Sequence, residues 1–415
     1  MRRPIRHVTG AAAVLAVAVA ASLALSPGAI DPGAVAPGQP PDGQPTPRGG
    51  VLGAATVRPG AGGEATDLPD AFWPVPHAGQ GGGTARPIDL LPLAEADAAA
   101  LQASVDRARA AFGLTALAVG VSVDGQLGWS GASGLAPDRR TPLTGASPFA
   151  IASVTKTFTA AIVLQLVDEG RISLSAPVTD YLPGRRVADG VTVEQLLGHR
   201  SGIADLLAPL RDRLNADLSR AWTPEEVVAL VGPSRFAPGS DWGYSNTNYV
   251  VAGMLVEAVT GNPFAVELER RITGPLALVG TGFPPAPRYG YMLGKSWTTA
   301  FWTSAALVSD AADLVRWGDA LYGGAILRPS TLGRMLDFNA DGYGLGAEHY
   351  TVAGTDGHGH SGLLRGYTTL LIRLPESHLT LAVLATGHLF SPTDLLTSEA
   401  GAPSILSIAL GISPD

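Results

Sequence analysis

Cysteine is absent from the 415 residues. That excludes a disulfide framework, a thiolate nucleophile and an N-terminal cysteine carrying lipid. Lysine is nearly absent too: Lys156 and Lys295 stand against 26 arginines. Charged residues make up 15% of the chain and form no basic stripe, so a nucleic-acid partner is not expected. No internal repeat is visible. The strand-turn-helix motif G-x-S-x-G and the metal motif H-E-x-x-H are both missing. His358-Gly359-His360 has no cysteine or further ligand pattern beside it, so no metal is expected. Gly294-Lys295-Ser296 is no phosphate loop, because Tyr289 stands where the upstream glycine belongs. No cofactor is implied.

What is present begins with a leader-like segment. Arg2, Arg3 and Arg6 precede an apolar run from Ala11 to Leu25, and small residues cluster between Ala24 and Ala29. Residues 1–30 read as a secretory signal, which predicts a secreted, extracytoplasmic protein. The alternative is an uncleaved anchor, the one route to a membrane, although the run is short of the roughly 20 residues a span needs. Without those three arginines the balance is 25 basic to 36 acidic residues. Residues 31–86 are rich in Pro and Gly, lack periodicity and read as a disordered linker. Residues 87–415 read as the folded domain.

Within that domain, Leu93 to Phe112 has helical periodicity. Ala116–Val123 and Gln126–Trp129 predict a hairpin turning at Asp124-Gly125. Ser153 to Glu169 predicts a helix stopped by Gly170. Short helices and turns fill about 180 to 340. Tyr367–Arg373 and Leu379–Ala385 predict strands, and Thr393–Leu410 a closing helix. Strands at both ends with helices between them predict an α+β fold. Its antiparallel sheet would be built from both termini and flanked by helices, beside a mainly helical lobe.

The surviving lysine carries the chemistry. Lys156 follows Ser153 by three residues, which places both on one helix face. Arginine cannot give up its proton, whereas a desolvated lysine can, and a serine hydroxyl needs such a neighbour to become a nucleophile. A helix start would add backbone N–H groups that favour developing negative charge. Read blandly, the pair is a capping serine followed by a solvated lysine. Downstream, Tyr244-Ser245-Asn246 precedes a helical run from Val250 to Val259. A tyrosine beside an ammonium can have its pKa lowered enough to act as a base, and Asn246 offers a donor and an acceptor to a substrate amide. His360-Ser361-Gly362 precedes a strand, with a glycine that lets a substrate backbone approach.

Taken in order, S-x-x-K, Y-x-N and H-x-G resemble the active-site signature of penicillin-recognising serine hydrolases. The nearest branch is the class C β-lactamases with the D-Ala-D-Ala carboxypeptidases and related esterases. Leu196-Leu197-Gly198-His199-Arg200-Ser201-Gly202, Tyr343-Gly344-Leu345-Gly346 and the run from Gly359 to Tyr367 extend the likeness over about residues 90 to 410. The resemblance implies that Ser153 is the acylated nucleophile and that Lys156 shuttles its proton. It implies Tyr244 as base and acid toward the leaving group, and Asn246 as a holder of the acyl amide. His360 stands where many relatives carry lysine. Ser153 and Leu363 would supply the two backbone N–H groups of an oxyanion hole beside Gly362. His199 matches no catalytic position and reads as structural.

The implied substrate is a small molecule or peptide, with a peptidoglycan stem peptide or a β-lactam as the family's examples. A terminal carboxylate wants a cation, yet Ala347-Glu348-His349 follows Tyr343-Gly344-Leu345-Gly346, and Glu348 would repel it. Arg365 is the candidate replacement. An esterase therefore stays open beside a D-Ala-D-Ala carboxypeptidase or β-lactamase. A non-catalytic peptidoglycan-binding envelope protein is the alternative from another class. Such a scaffold usually loses its nucleophile or lysine, and here both are present.

Overall fold

Asp124 and Gly125 both take positive φ, 56° and 65°, and the chain reverses there between β2 (Ala116–Val123) and β3 (Leu127–Gly134). This is the turn expected of Asp-Gly, whose backbone twist matches that of the strands it joins. The computed structural model describes residues 90–136, 139–184, 190–284, 294–387, 391–398 and 403–412. The expected leader and linker lie outside the described residues.

Among the described residues, seven strands form one sheet in the order β1-β3-β2-β9-β8-β7-β6. β1 (Leu91–Pro92) is parallel to β3, and all other neighbours are antiparallel. The C-terminal strands are β6 (Glu348–Val352), β7 (Thr355–Leu364), β8 (Tyr367–Leu374) and β9 (Leu379–Thr386). β9 lies directly against β2, with Leu117 opposite Ala385, so both ends of the domain build the sheet as expected.

Period-two alternation divides the core. Leu117, Val119, Val121 and Val123 face one side, under α1 (Glu95–Ala111), α11 (Pro392–Thr397) and α12 (Ile405–Leu410). Ala116 and Ala118 face the other, toward α9 (Ala311–Tyr322) and the helical lobe. Each fully buried Leu, Ile or Val contributes about 1.5–3 kcal/mol.

The lobe contains α2 (Thr155–Asp168), α3 (Val193–Leu197), α4 (Leu207–Ala216), α5 (Pro224–Ala229), α6 (Asn246–Thr260), α7 (Phe264–Leu268), α8 (Gly294–Ala305) and α10 (Pro329–Met335). α2 is buried nearly all round, from Thr155 to Leu164 without a break. Its polar threonines are satisfied inside: Thr159 donates to the Thr303 carbonyl at 2.7 Å, and Trp317 donates to Thr157 Oγ1 at 2.8 Å. The short pair β4 (Phe149–Ala150) and β5 (Val308–Ser309) leads into the segment before α2.

Three expectations need correction. Thr393–Leu410 is two helices, because Pro403 has no N–H to give a helix and Ser404 starts a new one by accepting from the Ser407 amide. β3 runs on to Gly134 through small residues of low strand propensity, which β2 pairs one for one. His360 lies inside β7, not before a strand. Its Gly- and His-rich stretch is held as a strand by β6 up to Gly359 and by β8 from His358 onward.

Candidate active site

Ser153 does not open an α-helix. It sits in a 3-10 turn, Ala152–Val154, from which α2 continues at Thr155. The residue before it, Ala152, is held at φ +46°, an uncommon conformation for a residue with a side chain. Such strain concentrates at functional sites, where the surrounding structure enforces it. Residues i and i+3 eclipse in a 3-10 turn. Lys156 Nζ accordingly lies 3.0 Å from Ser153 Oγ.

Lys156 is fully buried, so the bland reading of a solvated lysine fails. Its amine meets Asn246 Oδ1 at 2.8 Å and the Ser304 carbonyl at 2.9 Å. Ser304 is at the C-terminal end of α8, where carbonyls lack helical partners. Burial pulls the Lys156 pKa down to about 7, against the opposing charges of Asp205 and then Glu348. A lysine near neutrality can cycle as a base, as the sequence suggested.

Tyr244 donates its hydroxyl proton to Ser153 Oγ at 2.8 Å. Its expected downward shift is reversed: burial of the hydroxyl outweighs its bond to Ser153 and pushes the phenol well above its usual range. The Lys156 amine is 4.8 Å from the Tyr244 ring centre. In the free site Tyr244 is therefore a proton donor, and Lys156 is the group able to accept one.

His199 supports this arrangement from below. Its Nδ1 accepts from the Ser245 amide at 3.2 Å, its ring lies 4.3 Å from that of Tyr244, and burial keeps it neutral. The structural reading of His199 agrees with these contacts.

β7 closes the other side. A Cβ on Gly362 would fall 2.5 Å from the Ile151 carbonyl and 3.2 Å from the Ser153 amide nitrogen, so only glycine allows this approach. The Ser361 amide points away from β8 and donates to Glu348 Oε2 at 2.9 Å. Alternation along a strand turns the Leu363 amide to that same side, beyond the end of β6. The Ser153 and Leu363 amides can thus face one developing oxyanion. We expect Gly362→Ala to lower kcat/KM about a hundredfold by parting β7 from the Ser153 turn, the scale of one lost oxyanion donor. Steady-state kinetics on any turned-over ester checks this, and activity within threefold of wild type would refute the close-approach argument.

His360 is fully buried. Its Nδ1 is bonded to the Ser361 carbonyl and its Nε2 lies 3.1 Å from the Tyr343 hydroxyl. Burial, opposed by Glu348, lowers its pKa and keeps the imidazole neutral. Glu348 is itself buried and accepts from Ser361 and from the Tyr350 hydroxyl. Arg365 is exposed on the β7–β8 turn and donates to Asn215 of α4 at 2.8 Å. The structure thus brings Ser153, Lys156, Tyr244, Asn246 and Gly362 together and leaves Arg365 tied to the helical lobe.

Sequence reasoning missed two contributors. Asp205 holds Asn246, and its one signal was an acidic residue just past Ser201-Gly202. Ser304 acts through its carbonyl, which side-chain patterns cannot reveal.

Residues 101–400 match the family model described as Beta-lactamase. Penicillin-binding protein 4 of Amycolatopsis lactamdurans is 30% identical over 362 residues, 74% of this chain and 90% of that protein. Esterase EstB of Burkholderia gladioli is 37% identical over 214 residues, 46% of this chain and 53% of the esterase, so the match spans about half the esterase's length. Among solved structures, a D-stereospecific amidohydrolase from Streptomyces sp. superposes with a TM-score of 0.61 at 29% identity, covering 70% of this chain and 94% of that one.

Proposed function

This chain belongs to the Beta-lactamase family of serine hydrolases, and we propose that it cleaves small amides and esters without a terminal carboxylate, through an acyl-enzyme on Ser153. The observation that carries the substrate reading is His360. Where many relatives present a lysine, this chain has a buried, neutral imidazole already bonded at both nitrogens. Asp205 and Glu348 bias the field at Lys156 toward negative, which disfavours a carboxylate-bearing substrate. The names of two relatives, an esterase and a D-stereospecific amidohydrolase, point to the same substrate classes.

The geometry supplies the steps. Neutral Lys156 takes the Ser153 proton as Oγ attacks the carbonyl carbon. The oxyanion is held by the Ser153 and Leu363 amides. As the C–N or C–O bond breaks, the Tyr244 hydroxyl protonates the leaving group, and the Lys156 ammonium returns a proton to Tyr244. Water then attacks the acyl-enzyme, its proton passing to the same pair, and Ser153 leaves reprotonated. We extend the proposal to an extracytoplasmic site of action, supported by the charged end and apolar run of residues 1–30.

The test is a kcat/KM panel: D-phenylalanine amide, p-nitrophenyl butyrate, a D-Ala-D-Ala tripeptide and a cephalosporin. We expect the best carboxylate-free substrate to exceed both carboxylate-bearing ones by at least about tenfold, the scale of one missing charge-assisted bond. The reverse order would overturn the substrate reading and return Arg365 to the role of carboxylate anchor.

A further inference from the structure

Asp205 lies between α3 and α4 and binds two helix starts at once. Its Oδ2 accepts from the Asn246 amide at 2.6 Å and from Asn246 Nδ2 at 2.9 Å, while Oδ1 accepts from the Leu207 amide at 2.8 Å. Ser245, the residue that should cap α6, does not do so, and its hydroxyl donates to the Ala204 carbonyl instead. The cap of α6 therefore comes from a residue 41 positions earlier.

We infer that Asp205 is a positioning residue that fixes which end of the Asn246 amide faces Lys156, and thereby where the Lys156 amine is aimed. This rests on the reading of Ser153 as the acylated residue. A primary amide has one accepting and one donating end, and a carboxylate only accepts. Asp205 therefore takes Nδ2, which leaves Oδ1 toward Lys156 Nζ at 2.8 Å. The reversed amide would set donors against the amine and oxygen against the carboxylate.

The aim follows from counting directions on the amine. Asn246 Oδ1 and the Ser304 carbonyl are pure acceptors and occupy two N–H bonds. The third direction meets Ser153 Oγ at 3.0 Å. In the neutral amine that direction holds the lone pair, which can take the serine proton. After transfer it holds the new N–H, with no rotation needed.

Several charged or titratable groups face this amine. Asp205 and Glu348 act on it as anions. Tyr244 and Tyr249 present their rings at 4.8 and 5.5 Å and keep their protons, and His199 and His360 are neutral by burial. Both anions hold the Lys156 pKa up against burial. Removing the Asp205 charge lowers it further, so the free amine persists to lower pH and the acid limb of the rate moves down.

The experiment follows acylation of Ser153 by p-nitrophenyl acetate across pH in the wild type, Asp205→Asn, Asn246→Ala and the double variant. An asparagine at 205 offers donors as well as an acceptor and lets Asn246 turn. We expect Asp205→Asn to slow acylation about thirtyfold with KM within about twofold, and to lower the acid-limb midpoint. The double variant is expected to be no slower than Asn246→Ala alone, as for two residues acting in one chain. Wild-type rate and midpoint in Asp205→Asn, or independent additive losses in the double variant, would overturn the inference. If Asp205→Asn does not fold, Asn246→Ala keeps the backbone cap and carries the test, and wild-type acylation there overturns it equally. If the wild type is not acylated on Ser153 at all, the fault lies with the acyl-enzyme reading.

Discussion

Ser153→Ala is expected to remove turnover, with kcat at least about 10⁴-fold below wild type, because no second path to a covalent intermediate remains. Ser153 Oγ is the atom on which the Lys156 amine and the Tyr244 hydroxyl both converge, at 3.0 and 2.8 Å. Alanine keeps the 3-10 turn and adds no atom. The amine keeps its bonds to Asn246 and Ser304. The thermal midpoint is therefore expected within a few degrees of wild type, as for a change of about 1 kcal/mol or less. Intact-mass analysis after exposure to a fluorophosphonate gives the direct readout: one adduct on the wild type and none on the variant. A labelled variant, or one with unchanged turnover, would remove Ser153 from the nucleophile's role.

Lys156→Arg is expected to cost about a thousandfold in kcat/KM, within the usual span of general acid–base contributions. Arginine keeps the charge and cannot lose the proton. With its pKa near 7, Lys156 is mostly the free amine above that pH and mostly ammonium below it. Wild-type kcat/KM should thus rise as pH climbs through about 7 and level off above it, and the variant should lack that limb. The guanidinium must also enter a fully buried site fitted to three acceptors around a single nitrogen. Overpacking of that kind costs about 1–3 kcal/mol, so the thermal midpoint is measured alongside. Activity within about threefold of wild type, with the limb retained, would mean that charge alone mattered.

Much of this arrangement was legible in the sequence because it lives in short-range spacing. Ser153 and Lys156 are one turn apart, Tyr244 and Asn246 two residues apart, and Asp124-Gly125 dictates its own turn. The sheet built from both termini followed from where the strand patterns fall. The unread parts depend on contacts between distant segments. The i+3 spacing does not separate a 3-10 turn from an α-helix start. A proton held on Tyr244 and a neutral His360 result from burial, and burial is a property of the assembled lobes. The bond from Asp205 to Asn246 crosses 41 residues without a sequence pattern to announce it. His360 looked like a polar residue ahead of a strand because its glycine-rich neighbours have little intrinsic strand preference.

The place of β9 beside β2 also governs how the chain comes to fold. β2 gains β3 after a three-residue turn, 124–126, but its other neighbour arrives only with Leu379–Thr386. Closing so long a loop raises the entropic barrier, and non-local pairing slows folding. During synthesis Ser153, Lys156 and Tyr244 all emerge well before Gly362 and long before β9. A chain that stops short of Leu379 leaves one edge of β2 open to unintended partners. It also leaves β7 and β8 without the strand that joins them to β2 and the N-terminal half. Assembly of the sheet behind the Ser153 turn thus waits on Leu379–Thr386, a strand made long after Ser153, Lys156 and Tyr244 have left the ribosome.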